Sequence, residues 1–237
     1  MNFSKNNTLA EIVKFDYRAA SVFEKYNIDF CCNGKRTIEK ACKEKDISYD
    51  NLLSEIYSVI KDVVNSDNPE NCDLIKLIDH ILEVYHVNIR NMIPVILNHS
   101  KKVKEVHGSN HGELLEIDRI FEQVCQDLDS HMQKEELILF PAIIQLVENH
   151  AEENSKYINH FGSINNPISV MEREHSEAGN ELYKIRFLSN NYLPPPDACA
   201  TFNVFFQELK EFEEDLHRHI HLENNILFPK AIELENN

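Results

Sequence analysis

The chain contains no run of roughly 18 apolar residues, which excludes a helix that spans a membrane. Its first residues, MNFSKNNTLAEIVKF, lack the charged, apolar and small-residue segments of a signal peptide. Glycine is scarce, with five residues among 237, whereas Glu, Lys, Leu and Ile are plentiful. These absences predict a cytoplasmic and mainly helical protein.

Positive charge is also in short supply. There are 24 Lys and Arg residues against 40 Asp and Glu, which gives a formal net charge of −16. Such a chain repels phosphate backbones, so nucleic acid is not expected as a partner. A cation is a more natural ligand, and the twelve histidines offer donor atoms for one.

The six cysteines have no disulfide-framework spacing, and in a reducing compartment we expect them to be mostly thiols. A polar segment with one proline, Asn65–Asn71, is typical of a linker. Short helical patterns precede it and longer ones follow it. The sequence therefore predicts an N-terminal helical domain over residues 1–66 and a larger domain over residues 72–237.

Four long helical patterns follow the linker. Apolar residues recur at i, i+3 and i+4 from Leu74 to Ile89, which is typical of an amphipathic helix. The next three helices are predicted over 112–148 with a kink at Pro141, over 168–188, and from an N-cap at Asp197 to about residue 235. A polar loop is predicted over 151–167. The predicted fold class is all-α, an antiparallel four-helix bundle with a small N-terminal helical domain.

Two stretches that lie 88 residues apart repeat one pattern. HMQKEELILFP begins at His131, and HIHLENNILFP begins at His219. Residues four apart share a helix face, so each stretch projects a His-x3-Glu pair from one face. His86 and His175 precede the two stretches by 45 and 44 residues. The chain therefore resembles a duplicated helical hairpin.

Folded face to face, the hairpins would bring four imidazoles and two carboxylates into the bundle interior. The alternative is an ordinary bundle with a purely apolar core, but burying these groups unpaired is costly, and a metal pair removes that cost. Nitrogen and oxygen donors favour iron or manganese, with zinc also compatible. Six side chains and an oxo or hydroxo bridge leave open some of the roughly twelve coordination positions of two ions. The candidate ligands are His86, His131, Glu135, His175, His219 and Glu223.

These residues lie in longer stretches that are similar to known proteins. The bundle resembles a hemerythrin-type di-iron domain, and nearly the whole chain resembles the bacterial RIC family (YtfE/ScdA). The matching stretches are DFCCNGK at 29–35, IDHI at 78–81 with YH at 85–86, SHMxKEE at 130–136, PISVMExEH at 167–175, EAG at 177–179, PPP at 194–196 and LENNxLFP at 222–229.

The resemblance implies a protein with two iron ions that repairs iron–sulfur clusters damaged by oxidative or nitrosative stress, and it places the ligands on the same six residues. Damaged iron–sulfur proteins are then the partners, with NO or O2 as small ligands. Oxygen-carrying hemerythrins have His-x3-His on the third helix, whereas here Gly179 follows His175 at that spacing. A glycine inside a helix costs about 1 kcal/mol relative to alanine, which we attribute to space beside the metal. This departure argues against a reversible oxygen carrier.

Three functions remain open at this stage, besides a purely structural bundle. The protein donates iron to, or removes NO from, damaged iron–sulfur proteins; or it is an enzyme whose reduced centre converts NO to nitrous oxide; or it senses O2 or NO. No recognisable output domain supports the sensor. Pairing of two chains into a homodimer is also left open.

Cys31 and Cys32 are adjacent and precede an Asn-Gly turn. Adjacent cysteines bridge each other poorly, so the pair is interpreted either as core packing or as redox or metal-transfer thiols. The Lys35–Arg36 pair nearby is expected to lower a thiol pKa.

Other polar residues lie near the candidate ligands. Asp127 is one turn before His131 and Glu174 adjoins His175, so both are candidates to support the ligands or to form an acidic path, with solvated carboxylates as the alternative. Among the remaining histidines, His80 is expected to pack or to form hydrogen bonds. Solvated positions are expected for His99, His107, His111, His150 and His160, whereas His217 and His221 are expected to point away from His219.

Overall fold

The computed structural model describes residues 3–60, 73–151 and 162–236. The linker predicted at Asn65–Asn71 and most of the loop predicted over 151–167 lie outside these ranges. Within them the regular structure is helical, apart from one isolated β-bridge between Thr8 and Thr37.

Four short helices form the N-terminal part. Thr8 begins the first helix with a capping box, in which its side chain accepts from the Glu11 backbone and Glu11 binds back. Thr37 caps the third helix through the backbone N–H of Lys40. The buried apolar residues of these helices pack against one another and against the bundle. The helices are α1 (Leu9–Phe15), α2 (Ala19–Lys25), α3 (Ile38–Lys45) and α4 (Tyr49–Ile60).

Four long helical segments, called rods here, follow the N-terminal helices. Three of them contain a π-helical turn, and these turns are named π1 to π3. The first rod is α5 (Leu74–His80), π1 (Ile81–His86) and α6 (Val87–His107). The second is α7 (Glu113–Lys134), π2 (Glu135–Leu139) and α8 (Phe140–Ala151). The third is α9 (Asn165–Leu188), and the fourth is α10 (Ala200–Leu222), π3 (Glu223–Leu227) and α11 (Phe228–Asn236).

The rods form a closed ring of neighbours. Helix α6 packs against α7 and α10, and α9 packs against α7 and α10. Short connections join α6 to α7 and α9 to α10, so each rod runs opposite to the one before it. The predicted all-α four-helix bundle is confirmed.

Two predicted helix starts are wrong. Helix α9 begins at Asn165, before Pro167, because a proline is tolerated in a first helical turn. Helix α10 begins at Ala200 with Cys199 in the N-cap position. The carboxylate of Asp197, the predicted N-cap, lies against His111 instead, with Oδ2 3.1 Å from Nε2.

The turn π2 ends immediately before α8, and Pro141 is the second residue of α8. The helix continues through both, and the kink predicted at Pro141 stays a prediction. The apolar core divides at the same level of the bundle. One cluster contains residues such as Ile89 and Phe121 and continues into the N-terminal helices, while a second contains residues such as Ile78 and Phe140. The residues that divide the two clusters are polar.

Candidate metal centre

All six candidate ligands lie at this polar level and are buried. His131 and His219 lie in the last turns of α7 and α10, and Glu135 and Glu223 are the first residues of π2 and π3. His86 ends π1, and His175 lies in the middle of α9. The side chains of His86, Glu135, His219 and Glu223 are fully buried, at 0% exposure. The spacing in the sequence thus selected six residues that the fold brings together.

The donor atoms form two overlapping groups, each with its atoms within 4.8 Å of one another. One group contains His86 and His219, and the other contains His131 and His175. Glu135 and Glu223 belong to both groups. Glu135 reaches His86 at 3.3 Å and His131 at 3.2 Å, while Glu223 reaches His219 at 3.0 Å and His175 at 3.1 Å. Each group thus offers two imidazoles and two shared carboxylates as donors for a cation.

The contacts among the donor atoms also fit the presence of cations between them. The Nε2 atoms of His131 and His175 face each other at 2.9 Å, although the Nδ1 atom of each ring lies on an acceptor oxygen, of Glu174 and of Asn224. If those Nδ1 atoms carry the protons, the two Nε2 atoms present lone pairs to each other. Buried oxygens of Glu135 and Glu223 lack hydrogen-bond partners as well. Cations between these atoms would satisfy all of them.

Strong charge coupling accompanies this burial. Burial lowers the pKa of His131, but the carboxylates of Glu135, Glu223 and Glu174 together outweigh it and raise this pKa to about 9. Burial raises the pKa of Glu223, but the charge of His219 and hydrogen bonds from His175 and His219 outweigh it, so this pKa lies well below its usual value. Without a cation, the carboxylates therefore need the protons of the imidazoles as counter-charges, which metal ions would replace.

Three of the four imidazoles have an oriented partner on Nδ1. Glu136 lies 2.7 Å from His86 and also binds Arg90. Glu174 lies 2.9 Å from His131 and binds Lys134, and Asn224 lies 2.8 Å from His175. Such partners fix the tautomer and the ring orientation of a ligand histidine.

Glu174 thus contacts a candidate ligand, His131, as a supporting residue would, whereas Asp127 is exposed and binds Gln123 at 3.0 Å. Sequence reasoning missed Glu136 and Asn224. Each immediately follows the repeated glutamate of its own copy. This shared position is the feature of the sequence that could have indicated them.

The repeated Leu-Phe-Pro has a structural explanation. Phe140 stacks on His86 with ring centroids 5.9 Å apart, and Phe228 stacks on His175 at 6.1 Å with an interplanar angle of 2°. Each repeated phenylalanine therefore covers the first histidine of its own half. The π-helical turns that precede these two phenylalanines begin at Glu135 and Glu223. Such turns are rare in proteins overall, but those that occur are often at functional sites.

A cleft of about 380 Å³ opens on one side of the centre. His131 and His175 line it, and its other walls carry carboxylates from α7 and α9. Asp127, Glu174, Glu177 and Glu181 are those acidic residues. The acidic path predicted from Asp127 and Glu174 thus has a cavity that could contain it, but its role as a path stays a prediction.

The two adjacent cysteines lie where the N-terminal helices meet the bundle. Cys31 is 4% exposed and its Sγ lies 3.8 Å from Sγ of Cys32. The hydrogen bond with Cys32, together with burial and the charge of Asp29, raises the pKa of Cys31 well above its usual value. The expectation that Lys35 and Arg36 lower a thiol pKa is therefore wrong for Cys31. Arg36 instead binds Glu44 and the backbone oxygen of Asp29.

Gly179 faces open space. It lines, with both thiols, a cavity of about 330 Å³ between the N-terminal helices and the bundle. A Cβ atom added at Gly179 would meet nothing within 4 Å. This cavity lies on the side of the cysteines and none of the six candidate ligands lines it, so the space expected beside the metal stays a prediction.

The remaining histidines lie away from the two donor groups. His80 packs edge-on against Tyr85, as expected. His217 and His221 face Phe30 of the N-terminal part, so both point away from His219. The prediction of a solvated position is wrong for His99, which lies inside α6 and pairs with Glu208 at 2.7 Å. It is also wrong for His111, which pairs with Glu113 and Asp197, both at 3.1 Å. His160 lies outside the described residues.

Four antiparallel helices around a buried set of four imidazoles and two carboxylates define the hemerythrin class of cation-binding bundles. Residues 77–231 match the family described as the hemerythrin HHE cation binding domain, and residues 5–60 match a domain of unknown function, DUF542. The bundle is therefore a cation-binding domain. No helix within the described ranges is both long enough and apolar enough to cross a membrane.

Relatives cover almost the full length of the chain. The iron-sulfur cluster repair protein YtfE of Escherichia coli O81 (strain ED1a) is 35% identical over 228 residues, which make up 96% of this chain and 97% of that protein. The protein of the same name from Escherichia fergusonii has the same identity and coverage. The chain belongs to the family of the iron-sulfur cluster repair protein YtfE.

Proposed function

We propose that this protein holds two iron ions between the hairpins of its bundle and serves the repair of iron–sulfur clusters damaged by oxidative or nitrosative stress. The observation that carries the proposal is that Glu135 and Glu223 belong to both donor groups. Carboxylates that belong to both groups would serve two ions at once, which suits a dinuclear centre. The nitrogen and oxygen donors suit iron.

The residues around the donors support delivery as well as binding. Six protein donors leave part of the coordination of two ions unfilled, and the cleft beside His131 and His175 is large enough for small molecules. Iron supplies redox chemistry and exchangeable positions when bound. Glu136, Glu174 and Asn224 orient the imidazoles that hold it, and the apolar clusters on both sides exclude water from the carboxylates. The damaged iron–sulfur proteins are the proposed partners.

Metal analysis tests this proposal. The wild-type protein should carry two iron ions per chain after anaerobic loading, whereas Glu135→Ala and Glu223→Ala should carry fewer than one, because each removes a donor from both positions. Glu177→Ala is the matched control, since this glutamate is exposed on α9. Iron-loaded protein should then restore the cluster of an apo iron–sulfur protein faster than free ferrous iron at equal concentration. Equal metal content in the Glu135→Ala and wild-type proteins would contradict the dinuclear centre.

Reduction of NO to nitrous oxide is the second candidate function. Two adjacent metal positions beside an open cleft favour it, because two NO molecules must meet to form one nitrous oxide. Single-turnover gas analysis of reduced protein separates the two functions. Nitrous oxide at about half the amount of NO consumed would support the enzyme, and its absence, together with cluster restoration, would leave repair by iron donation.

A further inference from the structure

Asn225 joins the metal-binding bundle to the loop that carries the cysteines. Its Nδ2 donates to the backbone oxygen of Cys31 at 3.0 Å and lies 3.4 Å from that of Phe30. The same atom lies 3.1 Å from Nδ1 of His221, one turn earlier. The cysteine loop, residues 29–35, is thus held to the bundle through its backbone by the amide of Asn225 in π3.

The close approach of the Asn225 amide to the cysteine loop requires a glycine at position 34. A Cβ atom added at Gly34 would lie 2.8 Å from Oδ1 of Asn225 and 2.4 Å from the backbone oxygen of Phe30. No side chain fits there without displacing the loop or Asn225. The DFCCNGK segment therefore has a shape that fits this amide, in addition to its two thiols.

Three consecutive residues of π3 have three different tasks. Glu223 is shared by both metal positions, Asn224 orients His175, and Asn225 holds the cysteine loop. A π-helical turn is rare and is seldom maintained without a local reason. Glu223 and Asn225 lie two residues apart in this turn, which gives a short backbone route from the metal donors to the cysteine loop.

In π2, the equivalent turn of the first hairpin, an exposed leucine takes the position of Asn225. Glu136 and Leu137 of π2 align with Asn224 and Asn225 of π3 in the repeat. Glu136 contacts His86 just as Asn224 contacts His175, but Leu137 is 75% exposed. The contact with the cysteine loop is thus specific to the second copy.

We propose that π3 couples metal occupancy to the exposure of Cys31 and Cys32. The coupling rests on the dinuclear site proposed above. With metal bound, Glu223 is fixed, and Asn225 holds the loop closed over Cys31. When metal leaves, Glu223 loses the ions that held its carboxylate, and the start of π3 is no longer fixed by them. Movement of Glu223 then releases Asn225 from the loop.

The release is local, because other contacts keep the N-terminal part in place. Arg186 of α9 hydrogen-bonds to Asn27, and His217 of α10 lies 3.8 Å from Glu24 of α2. Opening of the loop alone would expose the thiols and leave the two parts together. The thiols would then become available to a partner only after the metal has been delivered.

Alkylation of the full-length protein with iodoacetamide tests the coupling, with each cysteine measured separately by peptide mass spectrometry. Cys31 and Cys32 should react about five- to tenfold faster in metal-free protein than in protein loaded anaerobically with ferrous iron, as expected for the loss of one hydrogen bond that holds a local segment closed. Cys199 is exposed at the start of α10 and should react equally in both. Cys125 is buried in α7 and should stay protected in both.

Asn225→Ala should give fast alkylation of the pair even when loaded with two iron ions, and Leu137→Ala is the matched control that should behave like wild type. Protected thiols in iron-loaded Asn225→Ala would mean that metal shields them directly, which would overturn the coupling. Equal rates in loaded and metal-free wild type, or alkylation of Cys125 on metal removal, would also overturn it. If the wild type binds no iron at all, the proposed function fails as well, and metal analysis of the same samples shows which has failed.

Discussion

Tyr85 and Glu174 occupy equivalent positions in the two halves of the bundle, but each makes a different kind of contact with the histidine that faces it. Each directly precedes the first histidine of its half. Glu174 accepts a hydrogen bond from His131, whereas Tyr85 stacks on His219 with an interplanar angle of 12°. No hydrogen-bond partner of His219 Nδ1 is found in the part of the chain that the structure describes. One side of the centre is therefore polar and opens to the cleft, and the other side is closed by an aromatic ring.

The two acidic residues selected from the sequence should consequently behave differently. Glu174→Ala should weaken metal binding by about 10- to 100-fold, since it leaves His131 without an oriented partner. Asp127→Ala should leave the affinity unchanged, because Asp127 is exposed and its contact is with Gln123. Competition with a chromophoric chelator measures both affinities. Equal losses in the two variants would show that the negative charge of the cleft matters more than the contact with His131.

Single histidine variants should bind half as much metal as the wild type. His175→Ala removes a donor from one group and leaves His86, His219 and both carboxylates in the other. We therefore expect one ion per chain in His175→Ala, whereas the glutamate variants lose both. Elemental analysis after gel filtration gives the stoichiometry, and His99→Ala, which removes the partner of Glu208, is the control that should keep two. A complete loss of metal in His175→Ala would mean that the two positions fill only together.

The positions of the six candidate ligands could be predicted because they follow from helix geometry alone. His131 and Glu135 share a face on any regular helix, and the repeat at His219 places a second such face in the chain. Their meeting in the bundle then requires only that the hairpins pack with their polar faces inward.

The partners of the ligands could not be predicted in this way, because they connect different helices. Glu136 meets His86 across the bundle, and nothing in the spacing of 50 residues indicates this contact. The π-helical turns are equally hidden, since no local pattern distinguishes Glu135–Leu139 from an α-helical turn. The raised pKa of Cys31 comes first from its hydrogen bond with Cys32 and then from burial, and the sequence of the loop shows neither this contact nor the burial. The same applies to the start of α10, where Asp197 lies against His111.

A buried polar cluster far from the metal donors should contribute to stability. The hydroxyl of Tyr192 lies 2.9 Å from Oε2 of Glu213, which also accepts from Nε of Arg186 at 2.8 Å. Tyr192→Phe should destabilise the protein by about 1–3 kcal/mol, because it leaves a buried carboxylate with one donor fewer. Tyr183→Phe is the control, since Tyr183 is 57% exposed. Urea unfolding measures both free energies, and equal midpoints would show that the hydroxyl of Tyr192 contributes nothing.

His111 connects the end of the α6–α7 turn to the segment before α10. Its Nδ1 lies 3.1 Å from Glu113 and its Nε2 lies 3.1 Å from Asp197. The hydrogen bond with Asp197 raises the pKa of His111 above its usual value. A group whose pKa is raised by folding stabilises the folded state when it is protonated. The contribution is fully present below the unfolded pKa of about 6.5 and is lost as the pH rises through the folded pKa.

Wild type should therefore exceed His111→Gln in melting temperature at pH 6, and the difference should shrink as the pH rises to 9. Thermal unfolding of both proteins in the metal-free form gives this difference at each pH, and groups common to both proteins cancel. His150→Gln, at an exposed position near the end of α8, should show no such trend. A difference between wild type and His111→Gln that stays constant over this range would mean that packing of the ring, and not its charge, holds the two segments together.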